Sequence, residues 1–316
     1  MKKVLIARVL PDEVYPALKG LEVVRRDLTT PLDGAEMRAA LREYDGVMCT
    51  LGDQFSAQVF ADVPQPRCKV LANFGVGFNH IDVAAARAAG VTVTNTPGAV
   101  TDATADTAMT LMLMSARRAG EGERLVRSGA WEGWHPTQML GLHLTGKTVG
   151  IVGMGRIGQA IARRCHFGFG MPVHYFGRSP KELDFDAVFH SDLAGMAAEV
   201  DVLVTAVASN PQTRHLINAD VLAAMRPHAR LINIARGDVV DEAALIDALQ
   251  RGAIGGAGLD VYEFEPAVPQ ALRDLDNVVL LPHLGTSTTE VRVDMGMMVV
   301  GNLQAFFRGD APPNPV

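Results

Sequence analysis

Short apolar runs alternate with amphipathic segments along most of the chain. In residues 2–97 the amphipathic segments repeat their apolar residues every three to four positions, which is typical of helices on the surface of a sheet. The predicted helices are 34–42, which follows the N-cap residue Asp33, and 82–90. The predicted strands are 4–7, 21–24, 46–49, 69–72 and 91–94. Such alternation predicts a parallel sheet with helices on its faces.

A second series follows Pro97-Gly98. It starts with a long helix at 101–118, whose apolar stretch at 109–114 favours a helix buried between two domains over a cofactor-binding segment. The predicted strands are 149–152, 173–176, 201–206, 230–234, 256–260 and 278–281, with helices at 221–225 and 241–250. Six strands in one series are typical of a dinucleotide-binding domain. A final helix at 288–308 is long enough to return to the first domain.

A glycine turn joins the first strand of the second series to a helix. Gly153, Gly155 and Gly158 have the spacing G-x-G-x-x-G, and Arg156 and Ile157 complete the turn. In that motif the first glycine permits the tight turn, the second lets a pyrophosphate approach, and the third lets helix and strand pack closely. Glycine turns also occur as plain connections, but the flanking strand and helix favour a dinucleotide site.

Composition narrows the class of protein. The 316 residues are 48% hydrophobic and 20% charged, as in a folded α/β protein, and the net charge of −6 argues against a nucleic-acid or anionic-membrane surface. Cys49, Cys68 and Cys165 are too scattered for a disulfide framework. The first apolar run is too short for a signal peptide, and none reaches membrane-spanning length. We therefore expect a cytoplasmic protein.

Further motifs follow the glycine turn in a fixed order. They are Asn-Ile-Ala-Arg-Gly-Asp at 233–238, Gly-Leu-Asp-Val-Tyr-Glu-Phe-Glu-Pro at 258–266 and Leu-Pro-His-Leu-Gly at 281–285, with Asn-Phe-Gly-Val-Gly upstream at 73–77. With these motifs the chain resembles the D-isomer-specific 2-hydroxyacid dehydrogenases, most closely the glyoxylate/hydroxypyruvate reductase branch. The resemblance implies an α/β fold of two doubly wound parallel-sheet domains. A flavodoxin-like substrate domain (1–97 and 289–316) would carry an inserted Rossmann cofactor domain (98–288), with the active site in the cleft, and the protein would be a homodimer.

The resemblance also implies catalytic roles. Arg236 would clamp the substrate carboxylate and carbonyl, His283 would be the acid/base, and Glu265 would orient the histidine and favour its charged form. Each residue has a structural alternative: a solvated arginine at a strand end, a loop acid with Glu263 as its rival, and an ordinary histidine after a strand. Functional side chains at the carboxyl ends of parallel strands favour the catalytic interpretation.

The remaining site residues follow from the same resemblance. Val76 and Gly77 would hold the substrate carboxylate through their backbone N–H groups, with a plain βα turn as the alternative, and Leu51 would line the pocket. Asp260 would bind the nicotinamide carboxamide. Ala206, Ala235 and Thr107 would line the cofactor. The nine histidines show no metal-ligand spacing, so we predict no metal.

Cofactor choice depends on the end of the second strand of this series. An NAD-selective site places an acid there, about 20 residues after the glycine turn. This chain has Gly177, Arg178 and Ser179 instead, so nothing repels a 2′-phosphate. Arg178 could bind that phosphate or the adenine, with Ser179 donating a hydrogen bond and Lys181 as a weaker candidate. We predict NADP(H) over NAD(H); the alternative is a surface arginine in an enzyme that uses either cofactor.

The expected function is reduction of a small anionic 2-oxo acid, such as glyoxylate or hydroxypyruvate, to a D-2-hydroxy acid. Residues 137–140 lack the tryptophan that hydroxypyruvate-reducing relatives often carry after the Trp-x-x-Trp-x-Pro loop, which weakens the case for hydroxypyruvate. Two alternatives stay open. One is an NAD(H)-dependent dehydrogenase of other substrate range, and the other is a cofactor-sensing binding protein with the same fold.

Overall fold

The computed structural model describes residues 1–316 as two compact units. The first comprises Met1–Val100 and Thr286–Val316, and the second Thr101–Gly285. Each predicted domain boundary lies three residues from the corresponding unit boundary.

Both units are built from parallel strands with helices between them. The strands are β1 (Lys2–Ile6), β2 (Leu21–Arg25), β3 (Gly46–Thr50), β4 (Val70–Phe74), β5 (Thr92–Thr94), β6 (Val149–Val152), β7 (Val173–Phe176), β8 (Ala187–His190), β9 (Val202–Thr205), β10 (Arg230–Asn233), β11 (Gly256–Leu259) and β12 (Val278–Leu280). The α-helices are α1 (Gly34–Glu43), α2 (Ala57–Ala61), α3 (Val83–Ala88), α4 (Thr101–Arg117), α5 (Ala119–Arg127), α6 (Arg156–Arg163), α7 (Leu193–Glu199), α8 (Ala219–Ala224), α9 (Glu242–Gln250), α10 (Gln270–Arg273) and α11 (Thr289–Arg308). Short 3₁₀ helices lie at Asp12–Leu18 and Gly237–Val239, and a π-helical turn at Arg164–Gly168. No helix is long and apolar enough to cross a membrane.

The first unit is organised around a five-stranded sheet. Its strand order is β2-β1-β3-β4-β5, every neighbouring pair is parallel, and β3 and β4 are completely buried. This is the flavodoxin-like order. The C-terminal helix α11 packs against β4 and the 3₁₀ helix Asp12–Leu18, so the last residues of the chain complete the unit that the first residues begin.

The second unit contains a seven-stranded parallel sheet. Its order is β12-β11-β10-β9-β6-β7-β8, so the chain starts near the middle, runs to one edge, and crosses back to build the other half. This is the Rossmann order with one added strand. The doubly wound α/β fold class predicted for both domains is confirmed.

The prediction of six strands in the second series was wrong, because β8 was missed. This strand has only four residues, lies at the sheet edge, and exposes Val188 to 51%. An edge strand half open to solvent needs no continuous apolar run, so the pattern that identified the central strands is absent.

Helix α4 shows how the second core is filled. Its buried residues include Met109, Leu111 and Met112, and it packs against α6, β10 and β11. Leu113 is 38% exposed, so the apolar stretch is not buried on every side.

Helix α1 begins at a complete capping box. The Asp33 side chain accepts a hydrogen bond from the Glu36 N–H at 2.8 Å, and the Glu36 carboxylate accepts one from the Asp33 N–H at 2.9 Å. We expect Asp33→Ala to lower the free energy of unfolding by about 1 kcal/mol, because it leaves an amide at the helix start without its acceptor. Chemical denaturation measures the change. The control is Ser56→Ala, at the N-cap of α2, where the side chain makes no capping hydrogen bond. Equal losses in the two variants would contradict the assignment.

Candidate active site

The glycine turn lies between β6 and α6 at the carboxyl edge of the seven-stranded sheet. Gly153 has φ +100°, and a Cβ there would lie 2.8 Å from the Ala206 carbonyl oxygen. A Cβ on Gly158 would collide with the Gly153 carbonyl. Gly155 is different, because no atom lies within 4 Å of where its Cβ would be. Protein atoms therefore leave no room for a side chain at Gly153 and Gly158, whereas the space beside Gly155 is open.

The open space beside Gly155 lies at the start of α6. Gly155 is the N-cap and gives no side-chain hydrogen bond to the helix, and Arg156 and Ile157 are the first helical residues. The Ala206 N–H donates to the Val152 carbonyl at 2.8 Å, so the end of β9 borders the turn. Uncapped N–H groups at a helix start beside open space suit a pyrophosphate.

The loop after β7 lies next to this turn. The Gly153 N–H donates to the Phe176 carbonyl at 2.9 Å, which joins the turn to the last residue of β7. Beyond it, Gly177 is half-buried and Arg178 and Ser179 are exposed, and the Arg178 guanidinium has neither a hydrogen bond nor an ion pair within the protein. The Lys181 N–H donates to the Tyr175 hydroxyl at 2.9 Å. A free cation therefore lies at the end of the strand beside the glycine turn.

Asn233 fixes the loop that carries Arg236. This side chain is 1% exposed at the end of β10. Its Oδ1 accepts from the Ala235 N–H at 3.0 Å and from the Thr205 hydroxyl at 2.7 Å, and its Nδ2 donates to the Arg236 carbonyl at 3.0 Å. Sequence reasoning did not assign this residue. The available signal was an amide at the end of a buried strand, where a polar group needs partners.

Arg236 is half-buried at the start of the next turn. Its Nη1 donates to the Ala235 carbonyl at 2.7 Å. Burial lowers the pKa of Arg236, and the negative charges of Glu265 and Asp238 act in the opposite direction. Arginine stays protonated even when it is buried, so Arg236 remains a cation whose other guanidinium N–H groups can donate to a ligand.

Gly237 brings two functional loops into contact. A Cβ at this position would collide with the Tyr262 backbone and the Glu263 nitrogen. Only glycine allows the loop after β10 to lie directly on the loop after β11. This contact places Arg236 within the electrostatic reach of Glu265.

Glu265 and His283 form the hydrogen-bonded pair of the site. His283 Nδ1 lies 2.8 Å from Glu265 Oε2, and each side chain is 29% exposed. Glu265 Oε1 accepts from the Tyr262 N–H at 3.0 Å. Burial alone would raise the pKa of Glu265, but His283, the Tyr262 N–H and Arg236 together hold it below its usual value. The carboxylate is therefore charged at neutral pH. With Nδ1 engaged, Nε2 is the histidine nitrogen left for another partner.

The rival acid Glu263 is engaged elsewhere. Its Oε1 lies 2.9 Å from both Arg214 Nη2 and His215 Nε2, and its side chain is only 8% exposed. The structure thus pairs His283 with Glu265 and places Glu263 in a separate ion cluster.

Asp260 fixes the loop that carries His283 through hydrogen bonds to its backbone. This residue is 1% exposed, and its two carboxylate oxygens accept from the Leu284 N–H at 2.6 Å and the Gly285 N–H at 2.8 Å. Its carbonyl accepts from the His283 N–H at 2.9 Å, and His283 has φ +55°. Burial raises the pKa of Asp260, against the opposing effect of these two amides and His283. Contact between Asp260 and a nicotinamide carboxamide stays a prediction.

Thr107 and Leu51 have modest contacts in the structure. The Thr107 hydroxyl donates to the Ala103 carbonyl at 3.1 Å inside α4. In the first unit, the Leu51 carbonyl accepts from Arg8 Nη2 at 2.7 Å. Both residues are half-buried, and their predicted roles remain predictions.

In the loop after β4 of the first unit, the carbonyl groups of residues 75–77 accept hydrogen bonds from asparagine side chains. Asn73 Nδ2 donates to the Gly75 and Gly77 carbonyls, each at 3.0 Å, and Asn95 Nδ2 donates to the Val76 carbonyl at 2.9 Å. The Val76 and Gly77 N–H groups have no acceptor within the protein. Two free amides on a loop fixed by its carbonyls can bind an anion such as a carboxylate.

Taken together, a dinucleotide turn and a cation beside a histidine that is hydrogen-bonded to a carboxylate define the class of protein, a dinucleotide-dependent oxidoreductase. The family model for the D-isomer specific 2-hydroxyacid dehydrogenase, NAD binding domain, matches residues 109–285. The chain belongs to this family of NAD(P)-dependent enzymes.

Relatives match over nearly the whole chain. A glyoxylate reductase of Pyrococcus furiosus is 42% identical over 324 aligned positions, covering 99% of this chain and 95% of its own. A glycerate dehydrogenase of Hyphomicrobium methylovorum is 36% identical, covering 98% and 97%. The solved structure of an NADPH-dependent glyoxylate/hydroxypyruvate reductase from Sinorhizobium meliloti, in complex with NADP and malonate, has a TM-score of 0.88 and 40% identity, covering 100% and 96%.

The hydrogen bonds of Asp260 lead to a test of the His283 loop. In Asp260→Asn the side-chain NH₂ replaces one acceptor oxygen and meets a backbone N–H, so one buried donor loses its acceptor. We expect a loss of about 1–3 kcal/mol in the free energy of unfolding and faster hydrogen exchange at Leu284 and Gly285. Asp276→Asn is the control, because the Asp276 side chain is 78% exposed. If both variants behaved alike, Asp260 would not be what holds the loop.

Proposed function

We propose that the protein is an NADP(H)-preferring reductase that converts small 2-oxo acids, glyoxylate first and hydroxypyruvate second, to D-2-hydroxy acids. The observation that carries this proposal is the 2.8 Å pair of His283 and Glu265 with Arg236 on the adjoining loop. Proton donor, orienting carboxylate and cation are the groups that reduction of an α-keto acid requires. The names of the two relatives and of the structural neighbour are consistent with this substrate class.

Three residues of the second unit have separate roles in the proposed reaction. The bound reduced nicotinamide supplies a hydride to the substrate carbonyl carbon. Arg236 stabilises the negative charge that develops on the carbonyl oxygen, and the imidazolium of His283 donates the proton from Nε2 to that oxygen. Glu265 accepts a hydrogen bond from Nδ1–H, which sets the ring orientation and leaves Nε2 for the substrate oxygen. One hydride and one proton together convert the carbonyl to an alcohol.

In the first unit, Val76 and Gly77 are the proposed binders of the substrate carboxylate, and Leu51 a pocket residue. Their support is the pair of amides that lack a protein acceptor. Backbone N–H groups can bind a carboxylate, but the net charge of −6 does not attract anions, so a local cation such as Arg236 must attract the substrate.

The preference for NADP(H) is supported by the end of β7. Arg178 is exposed and unpaired, Ser179 is beside it, and residues 177–181 contain no acid that would repel a 2′-phosphate. An arginine can grip such a phosphate with two parallel hydrogen bonds. NAD(H) remains the alternative cofactor.

The direct test is oxidation of NADPH and NADH by the purified protein with a panel of 2-oxo acids. We expect turnover with glyoxylate and hydroxypyruvate and a higher kcat/KM with NADPH. Tight cofactor binding with no turnover on any acid would favour the cofactor-sensing binding protein instead.

Variants of His283, Glu265 and Glu263 separate the catalytic pair from the neighbouring acid. We expect His283→Gln to lower kcat by about 10²–10⁴, because it removes the proton donor. Glu265→Gln should lower kcat, because an amide accepts the Nδ1–H hydrogen bond more weakly than a carboxylate and holds the ring less firmly. The matched control is Glu263→Gln, which alters the ion cluster with Arg214 and His215 but leaves His283 its partner. A kcat loss in the control equal to that of Glu265→Gln would refute this division of roles.

Arg178→Ala tests cofactor recognition. We expect the KM for NADPH to rise about 10–100-fold, the effect of losing a charge-assisted hydrogen bond, while the KM for NADH changes little. Steady-state kinetics with both cofactors give the ratio. Lys181→Ala is the comparison and should have a smaller effect. An equal rise for NADH would exclude a contact with the 2′-phosphate.

A further inference from the structure

Two histidines and a glutamate meet on one face of the seven-stranded sheet, outside the site described above. His174 Nδ1 lies 2.9 Å from His190 Nε2, and 3.5 Å from Glu199 Oε2. All three ligand atoms lie within 4.8 Å of one another. The imidazole rings are stacked, with centroids 4.9 Å apart and planes at 23°.

The strand register explains why distant residues converge here. In the parallel pair of β7 and β8, His174 lies opposite Val188 and Phe176 opposite His190. Residues opposite each other share a face, and so do residues two apart along a strand, so both histidines point to the same side. Helix α7 packs against β7 and β8 on that side and ends at Glu199. No metal-ligand spacing is apparent in the sequence because the two histidines lie 16 positions apart.

We propose that His174, His190 and Glu199 form a binding site for a divalent transition metal ion, with Zn²⁺ as the expected occupant. Two imidazole nitrogens and one carboxylate oxygen are a common ligand set for Zn²⁺, and imidazole favours it strongly over Mg²⁺ or Ca²⁺. Three protein ligands leave the fourth tetrahedral position to water.

Two of the three spacings, those from His174 to His190 and to Glu199, are close to what coordination needs, and the third ligand pair lies within 4.8 Å. With metal–nitrogen bonds of about 2.0–2.1 Å, ligand atoms in a tetrahedral site are roughly 3.3 Å apart. The distance from His174 to Glu199 is near this value, and the two histidines must separate by a few tenths of an ångström. Their side chains are half-buried and Glu199 is exposed, so a solvated ion can reach them and the ligands can adjust.

The ion would be structural. The cluster lies on β7 and β8 at one edge of the sheet, whereas Arg236, Glu265 and His283 follow β10, β11 and β12 towards the other edge. Strand β8 pairs with β7 alone, and an ion held by β7, β8 and α7 would fasten this edge strand to the rest of the unit. Binding to the folded state alone raises stability as the metal concentration exceeds Kd.

The test uses the full-length protein, freed of metal by a chelator and titrated with Co²⁺, which reports its coordination through visible absorption, and with Zn²⁺ in thermal-unfolding experiments. We expect a saturable four- or five-coordinate Co²⁺ spectrum at one ion per chain and a rise in Tm with Zn²⁺. His190→Ala should abolish both effects, and Glu199→Gln, which keeps a polar side chain of the same size, should weaken binding at least about tenfold.

The matched control is His143→Ala, which removes an exposed histidine that has no partner in the protein. It should bind Co²⁺ as the unaltered protein does. Octahedral Co²⁺ only, unsaturable binding, or equal affinity in Glu199→Gln and the unaltered protein would overturn the proposal. Should His190→Ala fail to fold, Glu199→Gln decides alone, because it changes a side chain that is 56% exposed.

Discussion

The candidate site depends on the parallel direction of β10, β11 and β12. Parallel strands deliver every following loop to the same edge of the sheet, so residues 29 and 47 positions apart in sequence, Arg236 to Glu265 and Arg236 to His283, can act together. The same edge carries the glycine turn after β6 and the Arg178 loop after β7. One constraint on strand direction therefore brings cofactor-binding and catalytic candidates to one side of the unit.

Strand direction brings the loops to the edge, and buried polar side chains hold them there. The Asn233 side chain accepts a hydrogen bond from the Ala235 N–H and donates one to the Arg236 carbonyl. The Asp260 carboxylate accepts hydrogen bonds from the N–H groups of Leu284 and Gly285, which follow His283. Neither side chain is more than 1% exposed. A buried polar group without partners is costly, so each of these loops is strongly favoured in a single arrangement. A loop fixed in this way can keep a histidine aligned between a carboxylate and a substrate oxygen.

The sequence predicted the parts of the fold that burial dictates. Central strands such as β3 and β9 are apolar up to a final threonine because both faces are covered, and Gly153 and Gly158 of the turn lie where a side chain would collide with the protein. The edge strand β8 was missed because solvent covers one side of it. Contacts such as Asn233 with Arg236, or His174 with His190, depend on register and side-chain direction, which no local pattern reveals. Arg236, Glu265 and His283 were identified through family resemblance, and their geometry came from the structure.

The most direct measurement is the configuration of the product formed from hydroxypyruvate and NADPH by the purified protein, determined by chiral chromatography. Because a single fixed hydride donor attacks one face of the carbonyl and the family is specific for the D isomer, we expect D-glycerate alone, formed in an amount equal to the NADPH consumed. L-glycerate, a racemic product, or no glycerate despite bound cofactor would contradict the proposed reaction.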